Sequence, residues 1–434
     1  MEEAAKAGGE AIQRGDHRQA LDIFNAIAQA QPDDPTALIG CGIAMCEMQF
    51  HGVGVALFSY AATLVPDSKE IWCNLGAALR ASGHTDMGRD ALKKALTLAG
   101  EDGIILGNLA GTYINGGNPY PGIDYGQRAV AVQPDNPSNH NNTALCLMEA
   151  GRWTDAWPHW ENRIMMPGHR RREYPGKRWR GERVQSLVVH GEQGLGDEIM
   201  FLAYVDHVRR LVSRRLVLEV APRLVGMARR AFPYAEVIGK PEEFTGEVEA
   251  HIGMGDLPAL FNEGVPIKKA GYMRPSPGLH SKWLDRFKGR KVALLAHKGG
   301  TQRTHEMVRN PPREAWEPVL AAGYEVLSIQ YGKNAKEQAE EIGVEWLQEA
   351  GEDIDEQQAA IAAADLLVSV PQTALHIGGS LGKRVLCPLT DKPAWRYGLT
   401  GPMPWYQTVE LFRKQPGEDW APVMAKVAEA MRNG

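Results

Sequence analysis

The chain has 434 residues, of which 44% are hydrophobic and 23% are charged, and its formal net charge is −5. This is the composition of an ordinary globular protein with room for two or three domains. The charge balance argues against a nucleic-acid binder, and no apolar run approaches the ~20 residues that cross a bilayer. The odd number of cysteines and the lack of a C-x-x-C pair indicate a reducing compartment rather than a disulfide framework or a zinc site. We expect a cytoplasmic protein without a signal peptide or a transmembrane segment.

Residues 1–168 repeat with a period of 34. The segment 72–79 has the pattern Trp-x-x-Leu-Gly-x-x-Leu, which is close to the first-helix signature of the tetratricopeptide repeat. Each unit should be a pair of antiparallel helices, and about five units should stack into a solenoid. Two series of residues follow the period: Pro32, Pro66, Gly100 and Pro134, and Gly8, Gly42, Gly76, Ala110 and Ala144.

A solenoid of this kind presents a concave surface that typically holds a peptide or a protein. The alternative is that the repeats only support the neighbouring domain or form a dimer, and an oligomer is compatible with the sequence. Several asparagines fall on or near first helices, where they either bind an extended peptide backbone or are solvated. They are Asn74, Asn108, Asn141 and Asn142.

The last predicted unit contains Trp153, Trp157 and Trp160, which indicate a packing seam with the next domain. A basic segment follows at 169–184, which we predict to be a linker. Its cations either form a solvated surface or contribute a positive electrostatic potential to a nearby crevice. They are Arg170, Arg171, Arg172, Lys177, Arg178, Arg180 and Arg183.

The first α/β segment, predicted at 185–280, opens with a buried strand and a glycine turn. Gly194 and Gly196 follow the strand, and the first turn of a helix contains Asp197 and Glu198. Glycines let the backbone approach a ligand, and a helix that begins there directs free N–H groups towards a crevice. The two carboxylates either complement the helix dipole or reach the crevice and act chemically, and the spacing favours neither alternative.

The second α/β segment, predicted at 281–434, begins with a strand at 291–296. The loop after this strand either cradles a phosphate through backbone N–H groups and cations or is a polar loop with incidental basic residues. Gln330 ends a further strand. The candidate phosphate-binding residues are Lys298, Gly300, Thr301, Arg303 and, before two prolines, Arg309.

A buried strand at 365–370 leads into a second helix start. Gln372 and Thr373 would lie beside its free N–H groups, at the carboxyl end of a parallel strand, where ligands bind in open α/β sheets. His376 follows one turn later. A lone helix histidine is usually structural, yet this one faces the same crevice if the helix begins at Gln372.

A loop near the end of the chain contains Trp395 and Arg396. An aromatic residue beside an arginine is suited to stacking on a ring and pairing with a phosphate. The alternative is that these residues close the edge of the domain. No cluster of metal ligands is evident, so we predict no metal site.

Two α/β segments that each carry a glycine-bearing turn from strand to helix resemble the GT-B glycosyltransferase fold. With the repeats, the chain resembles bacterial tetratricopeptide proteins that carry a glycosyltransferase-like domain. That domain is similar to the heptosyltransferases and, more distantly, to the protein O-GlcNAc transferases. The resemblance spans nearly the whole chain, and its best segments are 192–197, 299–301, 369–376, 382–383, 395–398, 405–406 and 412–413.

The resemblance implies an all-α solenoid followed by a double Rossmann domain that transfers a sugar from a nucleoside-diphosphate sugar without a metal or a cofactor. By analogy, Asp197 would be the general base, and Lys298 or Arg303 would contact the diphosphate. The family's Asp-Thr-Gly positions are occupied here by 371–373, Pro-Gln-Thr, and His376 matches the family's histidine. The acceptor would be a protein held by the repeats. The alternative is a non-catalytic adaptor with a degenerate transferase domain.

Overall fold

The computed structural model describes residues 2–166, 174–240, 244, 246–261, 264–299 and 309–433. The chain divides into two compact units. The first comprises Met1–Ala150 and Asn162–His169, and the second comprises Gly151–Glu161 and Arg170–Gly434. The first unit is helical, and the second contains two parallel sheets.

The first unit is the predicted helical repeat and resembles tetratricopeptide solenoids. Consecutive helices pack on one another, and their short connections make them antiparallel. Its helices are α1 Glu2–Gln13, α2 His17–Ala30, α3 Pro35–Glu47, α4 His51–Leu64, α5 Lys69–Ala81, α6 Thr85–Ala99, α7 Gly103–Gly111, α8 Tyr120–Val132 and α9 Pro137–Glu149.

A repeated cap sets the 34-residue spacing of α3, α5, α7 and α9. In each case the residue before the helix accepts a hydrogen bond from a backbone N–H in the first turn, which satisfies a donor that has no partner within the helix. The Oδ1 atom of Asp34 accepts from the N–H of Ala37 at 2.9 Å, for example. The four capping residues are Asp34, Ser68, Asp102 and Asn136.

Small residues lie where the helices cross, as the sequence series indicated. A Cβ atom added at Gly42 would lie 2.6 Å from Cε1 of Phe58, and one added at Gly76 would lie 2.5 Å from Cγ of Leu92. Ala110 and Ala144 are fully buried. The repeat therefore needs residues without a bulky side chain at these positions.

The boundary between the units differs from the predicted limit at residue 168. Helix α10, Trp153–Trp160, lies in the second unit, although the sequence places it in a fifth repeat. Its indole N–H groups explain this: Trp157 donates to the carbonyl of Gly264 at 2.6 Å and Trp160 donates to the carbonyl of Gly255 at 3.1 Å. The predicted tryptophan seam is thus part of the α/β unit.

The first sheet has five parallel strands in the order β1-β5-β2-β3-β4. Because β3 and β5 lie on opposite sides of β2, the strand order reverses at β2, and ligands in such sheets bind outside the carboxyl ends at this point. The strands are β1 Lys177–Arg178, β2 Val184–His190, β3 Val212–Val220, β4 Glu236–Gly239 and β5 Ala250–Gly253. The helices of this half are α11 Leu195–Phe201, α12 Val205–Arg209, α13 Val225–Ala231 and α14 Leu257–Leu260.

The second sheet has six parallel strands in the order β11-β10-β9-β6-β7-β8, which is the Rossmann order with its switch point between β6 and β9. The strands are β6 Val292–Ala296, β7 Glu325–Ser328, β8 Glu345–Trp346, β9 Leu366–Ser369, β10 Val385–Leu389 and β11 Val409–Arg413. The helices are α15 Pro277–Phe287, α16 Glu317–Leu320, α17 Ala335–Ile342, α18 Gln348–Glu352, α19 Ile354–Ala363, α20 Thr373–Leu381 and α21 Trp420–Arg432.

The C-terminal part of the predicted linker 169–184 belongs to the first sheet and is therefore not a linker. Strand β1 pairs with β5, and Trp179 next to it is buried. Three of the cations that the structure describes here have acidic partners: Lys177 pairs with Glu182 at 2.9 Å, Arg178 with Asp256 at 2.8 Å and Arg180 with Glu161 at 2.7 Å. These ion pairs join residues within the second unit.

Within the described ranges, every helix is too short or too polar to span a bilayer.

Candidate functional site

The first turns of α11 and α20 meet at the centre of the second unit. Helix α11 follows β2, α20 follows β9, and each of these strands lies at the switch point of its sheet. A Cβ atom added at Gly196 of α11 would lie 2.8 Å from Cδ2 of His376 of α20. Glycine at this position therefore lets the carboxyl edges of the two sheets come together.

Asp197 and Arg396 form an ion pair across this junction. Nη2 of Arg396 donates to Oδ2 of Asp197 at 2.6 Å, and Nε donates to Oδ1. The guanidinium therefore binds both carboxylate oxygens with two parallel hydrogen bonds. Asp197 is only 7% exposed. Burial acts to lower the pKa of Arg396, but the neighbouring carboxylate outweighs it and holds that pKa above its usual value.

The sequence did not decide whether Asp197 and Glu198 complement the helix dipole or act in the crevice, and in the structure Glu198 has a different, structural role. Its carboxylate is buried and accepts hydrogen bonds from the N–H of Ala221 at 2.7 Å and from Nζ of Lys240 at 2.6 Å. It fixes the turn after β3, and burial raises its pKa. Neither carboxylate caps α11, whose capping residue Gly194 has no side chain. Only Asp197 faces the opposite half of the unit.

His376 is buried between two tyrosines. Its Nδ1 atom is 3.2 Å from the hydroxyl of Tyr406, and its Nε2 atom is 3.4 Å from the hydroxyl of Tyr397. Burial lowers the pKa of His376 to about 4, and Arg396 acts in the same direction. The imidazole is therefore neutral at neutral pH and adds no charge to the site.

Arg309 supplies a second guanidinium, whose positive charge interacts with that of Arg396. It is half-buried, and within the part of the chain that the structure describes it forms no hydrogen bond or ion pair. Burial lowers its pKa, Tyr397 acts to raise it, and the positive charge of Arg396 acts to lower it further.

The loop after β6 is held by amide side chains. Gln330 forms two hydrogen bonds with the backbone of Lys298, at 3.1 and 2.8 Å, and Asn310 forms two with the backbone of Gly299, at 3.0 and 3.3 Å. The amide of Gln372 lies 3.5 Å from that of Gln330. These three amides therefore order the carboxyl edge of the second sheet and position the chain around the switch point.

The other residues that were predicted to bind the nucleotide sugar lie in different surroundings. The ammonium group of Lys298 pairs with Glu341 of α17 at 3.2 Å, and Thr373 is the first residue of α20. Trp395 is buried against Trp153 and Trp405 with ring centroids about 6 Å apart, so its face is packed against protein. The predicted residues Gly300, Thr301 and Arg303 lie outside the described residues.

The structure thus joins four predicted residues, Gly196, Asp197, His376 and Arg396, at one junction. Gln330, Gln372 and the backbone of Lys298 belong to the hydrogen-bond network at the carboxyl edge of the second sheet. The candidate list omitted Tyr397 and Tyr406, which surround His376, although the aromatic loop that contains them was a signal. Among the described residues, no three His, Cys, Asp or Glu side chains are grouped as metal ligands.

No protein-family model matches the chain. The chain is 26% identical to protein FlbA of Caulobacter vibrioides, over 96% of this chain and 82% of that protein. The tetratricopeptide protein TTC0263 of Thermus thermophilus matches 38% of this chain and 91% of its own length, at 16% identity and a TM-score of 0.35. MamA of Desulfovibrio magneticus RS-1 matches 37% and 89%, at 20% identity and a TM-score of 0.32.

Proposed function

We propose that the second unit is a GT-B-type glycosyltransferase that transfers a sugar from a nucleoside-diphosphate sugar to an acceptor hydroxyl. The observation that carries this proposal is the junction of Asp197, Arg396 and Arg309 where the carboxyl edges of two Rossmann-type sheets meet. Open α/β sheets bind ligands outside these edges.

The charge of the junction supports a diphosphate as part of the ligand. Arg309 and Arg396 bring two positive charges against the one negative charge of Asp197, and His376 is neutral. Guanidinium groups bind phosphate oxygens with two parallel hydrogen bonds, and they bind more strongly where water is partly excluded. A nucleoside diphosphate would neutralise the excess charge.

The chemistry requires a base and a stabilised leaving group. The acceptor oxygen forms a bond to the anomeric carbon of the sugar while the bond from that carbon to the β-phosphate oxygen breaks. The electron pair of that bond leaves with the nucleoside diphosphate, where Arg309 and Arg396 stabilise it. The proton of the acceptor hydroxyl passes to the carboxylate of Asp197. Every atom and charge in this step is balanced without a metal or a redox cofactor.

The helical repeat supports a protein or peptide as the acceptor. Three residues that are 34 apart, in the last turns of α4, α6 and α8, remain exposed although they are apolar: Leu64 at 38%, Leu98 at 39% and Val132 at 44%. A regular series of exposed apolar side chains fits a partner chain that runs along the repeats better than isolated surface residues do.

The alternative is a protein-binding adaptor whose α/β unit has lost its activity. Three observations favour it. Lys298 is already paired with Glu341, and Pro371-Gln372 stands where the similar transferases carry an acidic residue. Both carboxylate oxygens of Asp197 are also occupied by Arg396. In this case the repeats alone would carry the function.

A ligand screen followed by a transfer assay separates these proposals. Thermal unfolding is measured with UDP, GDP, ADP, CMP, dTDP and their common sugars. A ligand at ~100 times its dissociation constant stabilises the folded state by about 2.7 kcal/mol, which is readily measured. Stabilisation by one nucleotide supports the donor site, and failure of the whole set supports the adaptor.

Sugar transfer is then tested with Asp197→Ala and with the control Asp285→Ala, which removes an exposed carboxylate on α15. Loss of transfer in the first variant and retention in the second are expected. Equal turnover in the two variants contradicts the assigned base.

A further inference from the structure

We infer that Arg396 is a donor-operated switch on Asp197. In the free protein Arg396 holds the carboxylate, and the diphosphate of the donor withdraws Arg396 so that Asp197 is released to accept the acceptor's proton. This inference rests on the proposed function and adds an obligatory order to it. Arg396 acts through Asp197 and is therefore a positioning residue for the base.

The starting state is visible in the free protein. The guanidinium of Arg396 occupies both oxygens of Asp197, and the pair lies in the partly buried junction of the two halves. An acceptor hydroxyl that approaches Asp197 therefore meets a guanidinium that already occupies both carboxylate oxygens.

The surroundings of the pair favour an exchange of partners. The positive charges of Arg309 and Arg396 interact with each other, and a bound diphosphate would offer a negative group to each of them. The diphosphate offers more negative charge than one carboxylate, and its oxygens fit the same guanidinium fork. The side chain of Arg396 is 24% exposed and is therefore not sealed from solvent.

The backbone of Arg396 is well placed to stay fixed while its side chain moves. It lies in the short helical turn Trp395–Tyr397, and both flanking residues are buried. Trp395 packs against Trp153 and Trp405, and Tyr397 lies against His376. A rotation of one long side chain on a rigid turn is therefore sufficient for the exchange, and no movement of the two halves is needed.

The order of events follows from this arrangement. The donor binds first and takes Arg396, the acceptor hydroxyl then meets a free Asp197, and transfer follows. While the nucleoside diphosphate product remains bound, Arg396 stays bound to its phosphate oxygens. When the product leaves, Arg396 binds the carboxylate of Asp197 again. The junction would therefore not activate an acceptor in the absence of a donor.

The test uses the full chain and inorganic pyrophosphate, together with the nucleotide that the ligand screen selects. Isothermal titration is carried out on the wild-type protein, Asp197→Asn, Arg396→Lys and the double variant. Since Asp197 competes with the diphosphate for Arg396, Asp197→Asn should bind pyrophosphate about tenfold more tightly than the wild type. Arg396→Lys should bind more weakly, and the tightening should be absent from the double variant. The control Asp285→Asn should bind like the wild type.

The outcomes separate the inference from the function. Equal affinity of wild type and Asp197→Asn overturns the switch and leaves the proposed transferase intact. Failure of every protein to bind any diphosphate overturns both. If Asp197→Asn does not fold, the wild-type protein provides a second measurement. The arginine ¹⁵Nε signal that disappears in Arg396→Lys should move when pyrophosphate is added. An unmoved signal in a protein that binds pyrophosphate contradicts the exchange.

Discussion

Gly196 lies directly against the imidazole of His376, and this contact joins the two parallel-sheet halves of the second unit. A Cβ atom at Gly196 would be 2.8 Å from Cδ2 and 3.4 Å from Nε2 of the ring. The ring is held by the hydroxyl groups of Tyr397 and Tyr406 and cannot easily yield. The size of one side chain therefore limits how closely α11 and α20 approach.

We predict that Gly196→Ala destabilises the protein by about 1–3 kcal/mol, because overpacking outweighs the gain of up to ~1 kcal/mol that alanine brings to a helix. Chemical unfolding measures this difference. The control is Gly278→Ala in α15, where a Cβ atom meets nothing within 4 Å. The same stability change in both variants would show that position 196 has room for a methyl group.

Two buried histidines should make the protein sensitive to acid. Burial lowers the pKa of His376 and of His297 to about 4, whereas the unfolded chain has a value of about 6.5. Between these values the unfolded state binds more protons than the folded state at these two residues, so their contribution to stability is complete above about pH 6.5 and is lost as the pH is lowered towards 4. The loss should approach about 3 kcal/mol for each histidine.

The measurement is chemical unfolding at several pH values between 4 and 7. His297→Asn should reduce the slope of stability against pH, and the exposed control His84→Gln should leave the slope unchanged. A slope that is the same in the wild type and in His297→Asn would contradict a lowered pKa of His297 in the folded state.

Local patterns in the sequence predict most of the fold. Strands such as Val292–Ala296 and Leu366–Ser369 are short apolar runs that end in turn residues, and the helices of the first unit follow a strict period. The short strands Lys177–Arg178 and Glu345–Trp346 were missed, because two residues are too few to show a pattern. Helix α10 was assigned to the wrong unit, since the partners of its indole groups are about 100 residues away in the chain.

The candidate site was predicted in pieces. Asp197, His376 and Arg396 were each singled out by their place after a strand or in an aromatic loop, but nothing local indicates that Arg396 would hold Asp197, 199 positions away. The same limit applies to Lys298, whose partner Glu341 lies on a later helix. Sequence indicates which side chains reach the carboxyl edge of a sheet, whereas the packing of one sheet against another decides which of them pair.

Glu149 should destabilise the helical unit at neutral and alkaline pH. It is buried at the end of α9, where Oε1 accepts a hydrogen bond from the N–H of Asn115 at 2.7 Å and Oε2 has no partner among the described residues. Burial raises its pKa to about 8. The folded state therefore keeps a proton that the unfolded state has lost, and stability falls as the pH rises from about 4.5 to 8.

Glu149→Gln removes this titration and can keep the hydrogen bond from Asn115. We expect a gain of about 2–4 kcal/mol at pH 8 and almost none at pH 4.5, measured by chemical unfolding. Glu47 is the matched control, because it occupies the corresponding position of α3, three repeats earlier, and is exposed. A gain in Glu149→Gln that does not depend on pH would show that the cause is packing rather than ionisation.

A second ion pair, between Arg230 of α13 and Asp355 of α19, should couple the two halves energetically. Nη1 of Arg230 donates to Asp355 at 3.2 Å, Nη2 also contacts that carboxylate, and Gln358 accepts from Nη2 at 3.0 Å. The side chains are 24% and 30% exposed, so solvent weakens the pair only in part. A double-mutant cycle with Arg230→Ala and Asp355→Ala should give a coupling energy of about 1–2 kcal/mol.

The comparison pair is Arg290 and Glu325, which form a similar fork within one half and are 33% and 44% exposed. Their coupling should stay below about 1 kcal/mol, as is usual for pairs at the surface. Arg230→Lys distinguishes geometry from charge, since lysine keeps the charge but cannot reach Asp355 and Gln358 with one planar group. It should therefore lose most of the coupling energy. Retention of the full coupling in this variant would mean that charge alone joins the two halves at this point.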